Sequence, residues 1–377
     1  MSNLDSESRF QRRQTRLYEI LTTQGFDSLA LNAGPSITYL TGLHFHLSER
    51  PVVALFRPGF PPAIVLPELE AGKVEGIQFP LLPYTYGEDP QTWEAAFKEA
   101  VTAIHIEDHT IGVEIRRMRM LEHRFLGSAA PHARFSPAEG VLAELRMVKD
   151  EVEIQEMRKA VEIAQLALED TLQGIKPGIS EKQIAAELTI QLLRHGSAPE
   201  FPFAPIVAAG QNSANPHATP TNRKLSVGDL LIIDWGASYD GYFSDLTRTF
   251  AIGSKPDAEL VEAASLVEKA NQAALQRAAP GIPAGEVDRA ARDLIENAGF
   301  GQYFIHRTGH GLGMESHEEP YIRAGSDLRL ASGMVFTIEP GIYIPSRGGV
   351  RIEDNVVVTA SGSESMSDLP RQLIILD

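Results

Sequence analysis

The sequence predicts an α+β protein of two domains, a smaller α/β domain over residues 1–145 and a larger domain over residues 146–377 built as a pseudo-twofold repeat. Three observations carry this reading. Up to about residue 145, short apolar runs alternate with helical patterns. At Met147 the pattern changes to one long helical stretch. Beyond it, segments repeat one another at separations of 103 and 105 residues.

In the N-terminal part, residues 7–24 read as an amphipathic helix with Phe10, Leu17, Ile20 and Leu21 on one side. Strand-like runs follow at SLALNA (28–33), SITYLTG (36–42), VVALFRPG (52–59) and PAIVLP (62–67). A helix is expected over 90–104 and a strand over 110–115. His44 and His46 alternate as on a strand, and a loop or sheet edge accounts for them better than a metal site. No catalytic constellation stands in this part.

The second domain opens on a helix starting near Met147, with Asp150 as its N-cap. LQGIKPGISEKQI from Leu172 resembles LQRAAPGIPAGEV from Leu275, aligning Pro177 with Pro280, Gly178 with Gly281 and Gly196 with Gly299. Each copy reads helix, Pro-Gly turn, helix. Ser180 and Gln183 form a capping box, and Gly196 and Gly299 take the place just past a helix end. Further on, SVGDLLIIDWG resembles ASGMVFTIEPG and aligns Asp234 with Glu339.

Residues 230–250, LLIIDWGASYDGYFSDLTRTF, read as a hairpin turning at Tyr239, Asp240 and Gly241. A turn centred between Tyr239 and Asp240 sets Asp234 opposite Asp245, about 5 Å apart at Cβ, where like charges destabilise. A cation between them resolves the conflict. The repeat then calls for a second acid pair, and Glu339 and Glu353 oppose each other about Ser346 in the later hairpin. Four carboxylates are expected to converge near the pseudo-axis.

Composition sets bounds. A formal net charge of −16 argues against nucleic acid and anionic membrane as partners. With no cysteine, disulfides, thiolate metal sites and cysteine nucleophiles are excluded. The charged N-terminus lacks the apolar core of a signal peptide, and no apolar run is long enough to span a bilayer, so a cytoplasmic location is expected.

Four clustered carboxylates repel one another and would resist ionising together, and two divalent cations would neutralise them. Adding an imidazole shifts the choice from calcium toward manganese, iron, cobalt or zinc. His310, set between glycines that admit close backbone approach, is the candidate ligand. His317 and His217 are candidate substrate-facing groups, and His306 reads as structural. Such a site implies metal-dependent hydrolysis without separating peptides from phosphoesters.

The stretches IDWGASYDGYFSDLTRT, GHGLGMESHE, TIEPGIY and GVRIED together resemble the pita-bread metallopeptidase family, in its prolidase and aminopeptidase P branch. The resemblance covers the second domain, and the N-terminal domain looks creatinase-like. It implies five metal ligands: Asp234, Asp245, His310, Glu339 and Glu353. Asp245 and Glu353 would bridge two metal ions, manganese first, with cobalt or zinc as substitutes. Glu339 would also activate the bridging water. His217 and His317 would stabilise the tetrahedral intermediate, and Arg351 would support the site. The implied substrates are peptides with proline second, and the implied assembly is a homodimer. Phe201 and Phe203 are candidates for the proline pocket, with core packing as the equal alternative. Some prolidases carry a carboxylate-gripping arginine four residues after the histidine matching His317. Here that position holds Tyr321, with Arg323 out of register, which leaves dipeptidase and aminopeptidase both open. Competing readings are a non-catalytic binding module on the same fold, and a creatinase-like or other amide or ester hydrolase.

Overall fold

Helix α1 (Arg9–Gln24) starts at a capping box in which Ser8 and Gln11 satisfy each other's backbone. It buries Leu17, Ile20 and Leu21, while Phe10 is half-buried. The computed structural model describes residues 8–377, so the expected helix start at residue 7 lies outside the described residues. After α1 come β1 (Ser28–Asn32), α2 (Pro35–Thr41), β2 (Val53–Phe56), β3 (Ala63–Pro67), β4 (Leu82–Tyr86) and α3 (Trp93–Ala103). β5 (Thr110–Val113), α4 (Met120–Ala129), β6 (Arg134–Pro137) and α5 (Glu139–Arg146) complete the first unit. Its six strands form one mixed sheet in the order β4-β3-β2-β1-β5-β6. Phe97 and Phe125, stacked with ring centroids 5.1 Å apart, belong to a core that also takes Leu55, Val65 and Ile111 from the sheet.

One expected strand is corrected. Residues 36–42 form α2, not a strand. Their β-branched residues suggest extension, but Pro35 in the first turn and Gly42 in the left-handed conformation (φ 75°) bracket a short helix. His44 and His46 lie exposed in a loop.

The second unit begins at Met147. α6 (Glu151–Leu172) is capped by Asp150, which forms a capping box with Glu153. α7 (Glu181–Arg194) is capped by Ser180 and Gln183. Then follow β7 (Ile206–Ala209), β8 (Leu230–Trp235), β9 (Ser238–Tyr239), β10 (Tyr242–Phe243), β11 (Leu246–Ile252), α8 (Ala258–Arg277) and α9 (Ala284–Asn297). The remaining strands are β12 (Gly309–Gly311), β13 (Glu318–Ile322), β14 (Val335–Ile338), β15 (Gly341–Ile344), β16 (Gly348–Arg351), β17 (Asp354–Val358), β18 (Ser363–Ser365) and β19 (Ile374–Leu376).

The repeat is visible in the backbone. α6 packs with α7 as α8 packs with α9. Gly196 and Gly299 take φ of 99° and 86°, and Gly228 and Gly333 both take 88°. The first half carries the sheet β19-β11-β8-β7 and the second carries β13-β12-β14-β17-β18. Thr247 of β11 bridges to Glu353, between β16 and β17, and this joins the two halves. Among the described residues, no helix is long and apolar enough to cross a membrane.

Candidate metal centre

The first hairpin pairs Trp235 with Leu246 and Asp234 with Thr247. Its turn therefore centres between Asp240 and Gly241, whose φ values are 48° and 82°. Asp-Gly favours this two-residue turn because both positions need positive φ. The expected direct opposition of Asp234 and Asp245 is corrected accordingly. Asp245 lies diagonal to Asp234, two positions before Thr247. A shift of two residues keeps the face that a shift of one would lose, and both acids line one pocket. In the second hairpin, Ile338 pairs with Asp354 and Gly341 with Arg351, which places Glu339 across from Glu353 as expected. The Glu353 N–H donates to the Thr247 carbonyl at 3.0 Å, and the Thr247 hydroxyl donates to the Glu353 carboxylate at 2.7 Å.

His310 enters on β12 between two glycines with no room for a side chain. A Cβ on Gly309 would lie 1.8 Å from the Thr337 carbonyl oxygen, and one on Gly311 would lie 2.2 Å from that of Glu319. Gly309→Ala is expected to cost about 1–3 kcal/mol or more by forcing β12 off β14, lowering both the melting temperature and the bound metal. Unchanged melting and metal content would contradict this close approach.

Ligand atoms of Asp245, His310 and Glu353 lie within 4.8 Å of one another, and all three residues are buried. His310 Nε2 is 3.7 Å from Asp245 and 3.4 Å from Glu339. Its Nδ1 lies 3.1 Å from the Gly311 carbonyl, so Nδ1 donates and Nε2 faces the acids with its lone pair. Asp234 shares the pocket and accepts from the Arg351 guanidinium at 2.6 Å. Arg351 also donates to the Tyr343 hydroxyl at 2.7 Å and to Thr247 at 3.1 Å.

Electrostatics report the crowding. Burial and the neighbouring carboxylates push Asp245 and Glu353 well above the usual carboxylate range. Burial raises Glu339 to about 7, with Arg351 opposing, and it raises Asp234 against the same guanidinium. Burial holds His310 well below the ordinary imidazole value. Burial lowers His306 to about 4 and raises Tyr343 to about 12. His306 is thus neutral, donating from Nδ1 to the Arg307 carbonyl at 2.7 Å and accepting the Tyr343 hydroxyl at Nε2 at 3.0 Å.

The donor set fits a divalent cation. Asp234 Oδ1 and Glu353 Oε1 are buried with no hydrogen-bond partner, and each aims a lone pair into a cluster of acids and one imidazole. Charge and donor type both match a hard or borderline metal ion.

The pocket measures about 490 Å³ and takes His217 and His317, both solvent-exposed, into its wall. The His317 ring stands edge-on to that of His310 at 4.0 Å. Partial burial and the charge of Arg307 lower its pKa. Phe203 lines the pocket, and Phe201 is not among the lining residues. Sequence reasoning missed Arg307 and the hydroxyls of Tyr343 and Thr247. Tyr343 stands inside TIEPGIY, where its hydrophobic neighbours mask it. Arg307 lies beside His306, where one cation gives no periodic signal.

A duplicated fold that gathers four carboxylates, three of them buried, and a buried imidazole at the joint of its halves defines a metal-dependent hydrolase. Residues 155–360 match the description "Metallopeptidase family M24", and residues 13–148 match "Creatinase/Prolidase N-terminal domain". The chain belongs to metallopeptidase family M24, whose members use divalent metal ions. It is 36% identical to an Xaa-Pro dipeptidase from Lactobacillus helveticus, covering 90% of this chain and 92% of that protein. Among solved structures, a dipeptidase from Pyrococcus horikoshii OT3 is 38% identical with a TM-score of 0.90, covering 97% of this chain and 100% of that one. A prolidase from Thermococcus sibiricus is 34% identical with a TM-score of 0.91, covering 98% and 100%.

Proposed function

We propose that the chain hydrolyses the Xaa-Pro peptide bond with two divalent ions held by Asp234, Asp245, His310, Glu339 and Glu353. The observation that carries this reading is the buried Asp245–His310–Glu353 cluster, with its orphaned carboxylate oxygen, inside a peptidase-family fold. The relatives named for Xaa-Pro cleavage supply the bond. Manganese is the proposed metal, with cobalt or zinc able to substitute, because the donors mix carboxylate with one imidazole.

When bound, the ions supply Lewis acidity and an activated water. The chain's own residues do the rest. Glu339 accepts a proton from the attacking water and passes it to the departing proline nitrogen. His217 and His317 donate hydrogen bonds to the carbonyl oxygen as charge builds on it. Arg351 positions Asp234, and its planar donors are fixed by Thr247 and Tyr343. Phe203 offers an apolar wall to the proline ring. A division near residue 146 into accessory and catalytic domains, a homodimer and a cytoplasmic setting complete the proposal. The dimer is carried over from the resemblance, and a chain without cysteine fits a reducing compartment.

The test is an assay of manganese-loaded protein on Xaa-Pro and Xaa-Ala dipeptides and on longer peptides with proline second. Release of the N-terminal residue only where proline follows supports the proposal. No cleavage with metal bound overturns it. His317→Ala is expected to keep its metal and to lose about 100-fold or more in turnover. An unchanged rate would make His317 structural.

A further inference from the structure

His217 stands on the loop from β7 to β8, exposed, in the wall of the catalytic pocket. Little packing holds an exposed imidazole, so its place depends on how its loop is anchored. The anchor lies at the base of the loop. Glu181, the first residue of α7, is wholly buried. Its Oε1 accepts the Ala209 N–H at 2.8 Å and the Asn212 side-chain amide at 3.1 Å. Its Oε2 accepts the same amide at 3.0 Å, and the Thr221 N–H and hydroxyl at 2.8 and 2.6 Å. Ala209 and Asn212 stand where the chain enters the loop, and Thr221 stands where it returns. One carboxylate therefore ties the two arms together, with His217 between them. The backbone of α7 adds to the grip, since the N–H groups of Glu181 and Lys182 donate to the carbonyls of Arg223 and Thr221 at 3.1 Å each.

Burial makes this tie strong. A buried charge has to be hydrogen-bonded or paired. Arg223, whose guanidinium feels the Glu181 charge, is itself paired with Asp229 at 2.7 Å. The loop thus supplies the donors, and bonds to an ionised acceptor are roughly twice as strong as neutral ones. Between the arms, the Pro216 carbonyl accepts from Arg351 at 3.3 Å and the His217 N–H donates to the Asn215 side chain at 3.1 Å. The second half repeats the device. Asp288 of α9 is wholly buried and accepts the Thr308 N–H and hydroxyl at 3.1 and 2.8 Å, two residues before His310. In each half a buried acid on the second helix of the pair fixes a threonine close in sequence to a pocket histidine.

We propose that Glu181 is a positioning residue for the hydrolysis, tying the arms of the β7–β8 loop so that the His217 imidazole is held where it meets the substrate carbonyl. Neither Glu181 nor the residues that donate to it line the pocket, so its effect passes through His217. This rests on the Xaa-Pro peptidase reading above.

The test measures kcat, KM and manganese content on Ala-Pro for the loaded wild type, Glu181→Gln, His217→Ala and the double variant. Glu181→Gln keeps the shape but turns an amide N–H₂ toward donors of the loop. Its kcat is expected to fall by about 100-fold, the scale of a catalytic group displaced by about 1 Å, with KM and manganese content little changed. In the His217→Ala background the same substitution should cost about 2-fold at most, because the group it positions is already gone. Should Glu181→Gln fail to fold, Thr221→Val carries the same comparison. It is nearly isosteric, removes one donor to the carboxylate, and should cost about 10-fold in kcat only while His217 is present. An unchanged kcat overturns the assignment, as does an equal loss with and without His217. A loss that follows manganese content overturns it too, and so does a His217→Ala variant as active as the wild type. A loaded wild type that cleaves no Xaa-Pro peptide overturns the peptidase reading and this inference with it.

Discussion

Asp245→Ala is expected to abolish peptide hydrolysis and to lower metal content, the largest single effect any pocket substitution should have. Asp245 is the acid that closes the buried triad with His310 and Glu353. Its carboxylate is raised by burial first, and then by Glu353, Asp234 and Glu339. Such a group has one use in its ionised form, which is to face a cation. Removing it leaves His310 Nε2 beside Glu339 and Glu353 with no third partner. Activity is expected to drop by at least about 1,000-fold, with sub-stoichiometric metal by elemental analysis. Full activity with two ions still bound would contradict the ligand assignment. Asp245→Asn separates charge from shape, and it should fold like the wild type while binding metal poorly.

The second large effect is a pH-dependent gap in stability between metal-free and metal-loaded protein. In the metal-free protein Glu339 is raised from 4.5 to about 7, and burial with the neighbouring carboxylates holds Asp245 and Glu353 well above their ordinary values. A carboxylate raised on folding binds protons more tightly in the native state. Its contribution is complete below its unfolded value and is lost as pH rises through its folded value. For Glu339 the metal-free protein therefore loses this contribution from about pH 4.5 upward, most steeply between pH 4.5 and about 7, and the loss levels off above that. Metal binding has the opposite sign, because ligands must be deprotonated before they coordinate, so affinity grows as pH rises. At 100 times Kd a ligand stabilises by about 2.7 kcal/mol, or roughly 5–10 °C for a domain of this size. The gap in melting temperature with and without manganese is expected to widen from pH 5 to pH 8. A gap that stays flat would show that the acids are already ionised without metal.

Much of this site was legible because duplication offers a check within one sequence. The first hairpin suggested two acids, and the repeat then required two more at Glu339 and Glu353. The register of the second hairpin followed from its loop, whose centre at Ser346 takes a positive φ of 64°. The first hairpin misled by two residues. Three turn-forming residues stand together at Tyr239, Asp240 and Gly241, and only the preference of Asp-Gly for paired positive φ decides between them. The error was harmless to the site because strands repeat every two residues. The misread stretch at 36–42 has another cause. Its Ile37 and Thr38 carry extended preferences, but β-preference mostly reflects packing within a sheet, and these residues pair with no strand. Arg307 and Tyr343 were hidden for a third reason. Their contacts are with Tyr321 and Arg351, fourteen and eight residues along the chain, and local periodicity does not encode them.

The unequal registers of the two hairpins mean that the duplicated halves are no longer interchangeable. In one half the residue across from Asp234 is Thr247, and its hydroxyl serves Glu353 of the other half. In the second half Glu339 faces Glu353 itself, and no such hydroxyl stands between them. Two copies of either half alone, brought face to face, would give a symmetric cleft lacking the lone imidazole or the threonine link. The doubled cradle is therefore lopsided, with the imidazole supplied by one half and the threonine hydroxyl by the other.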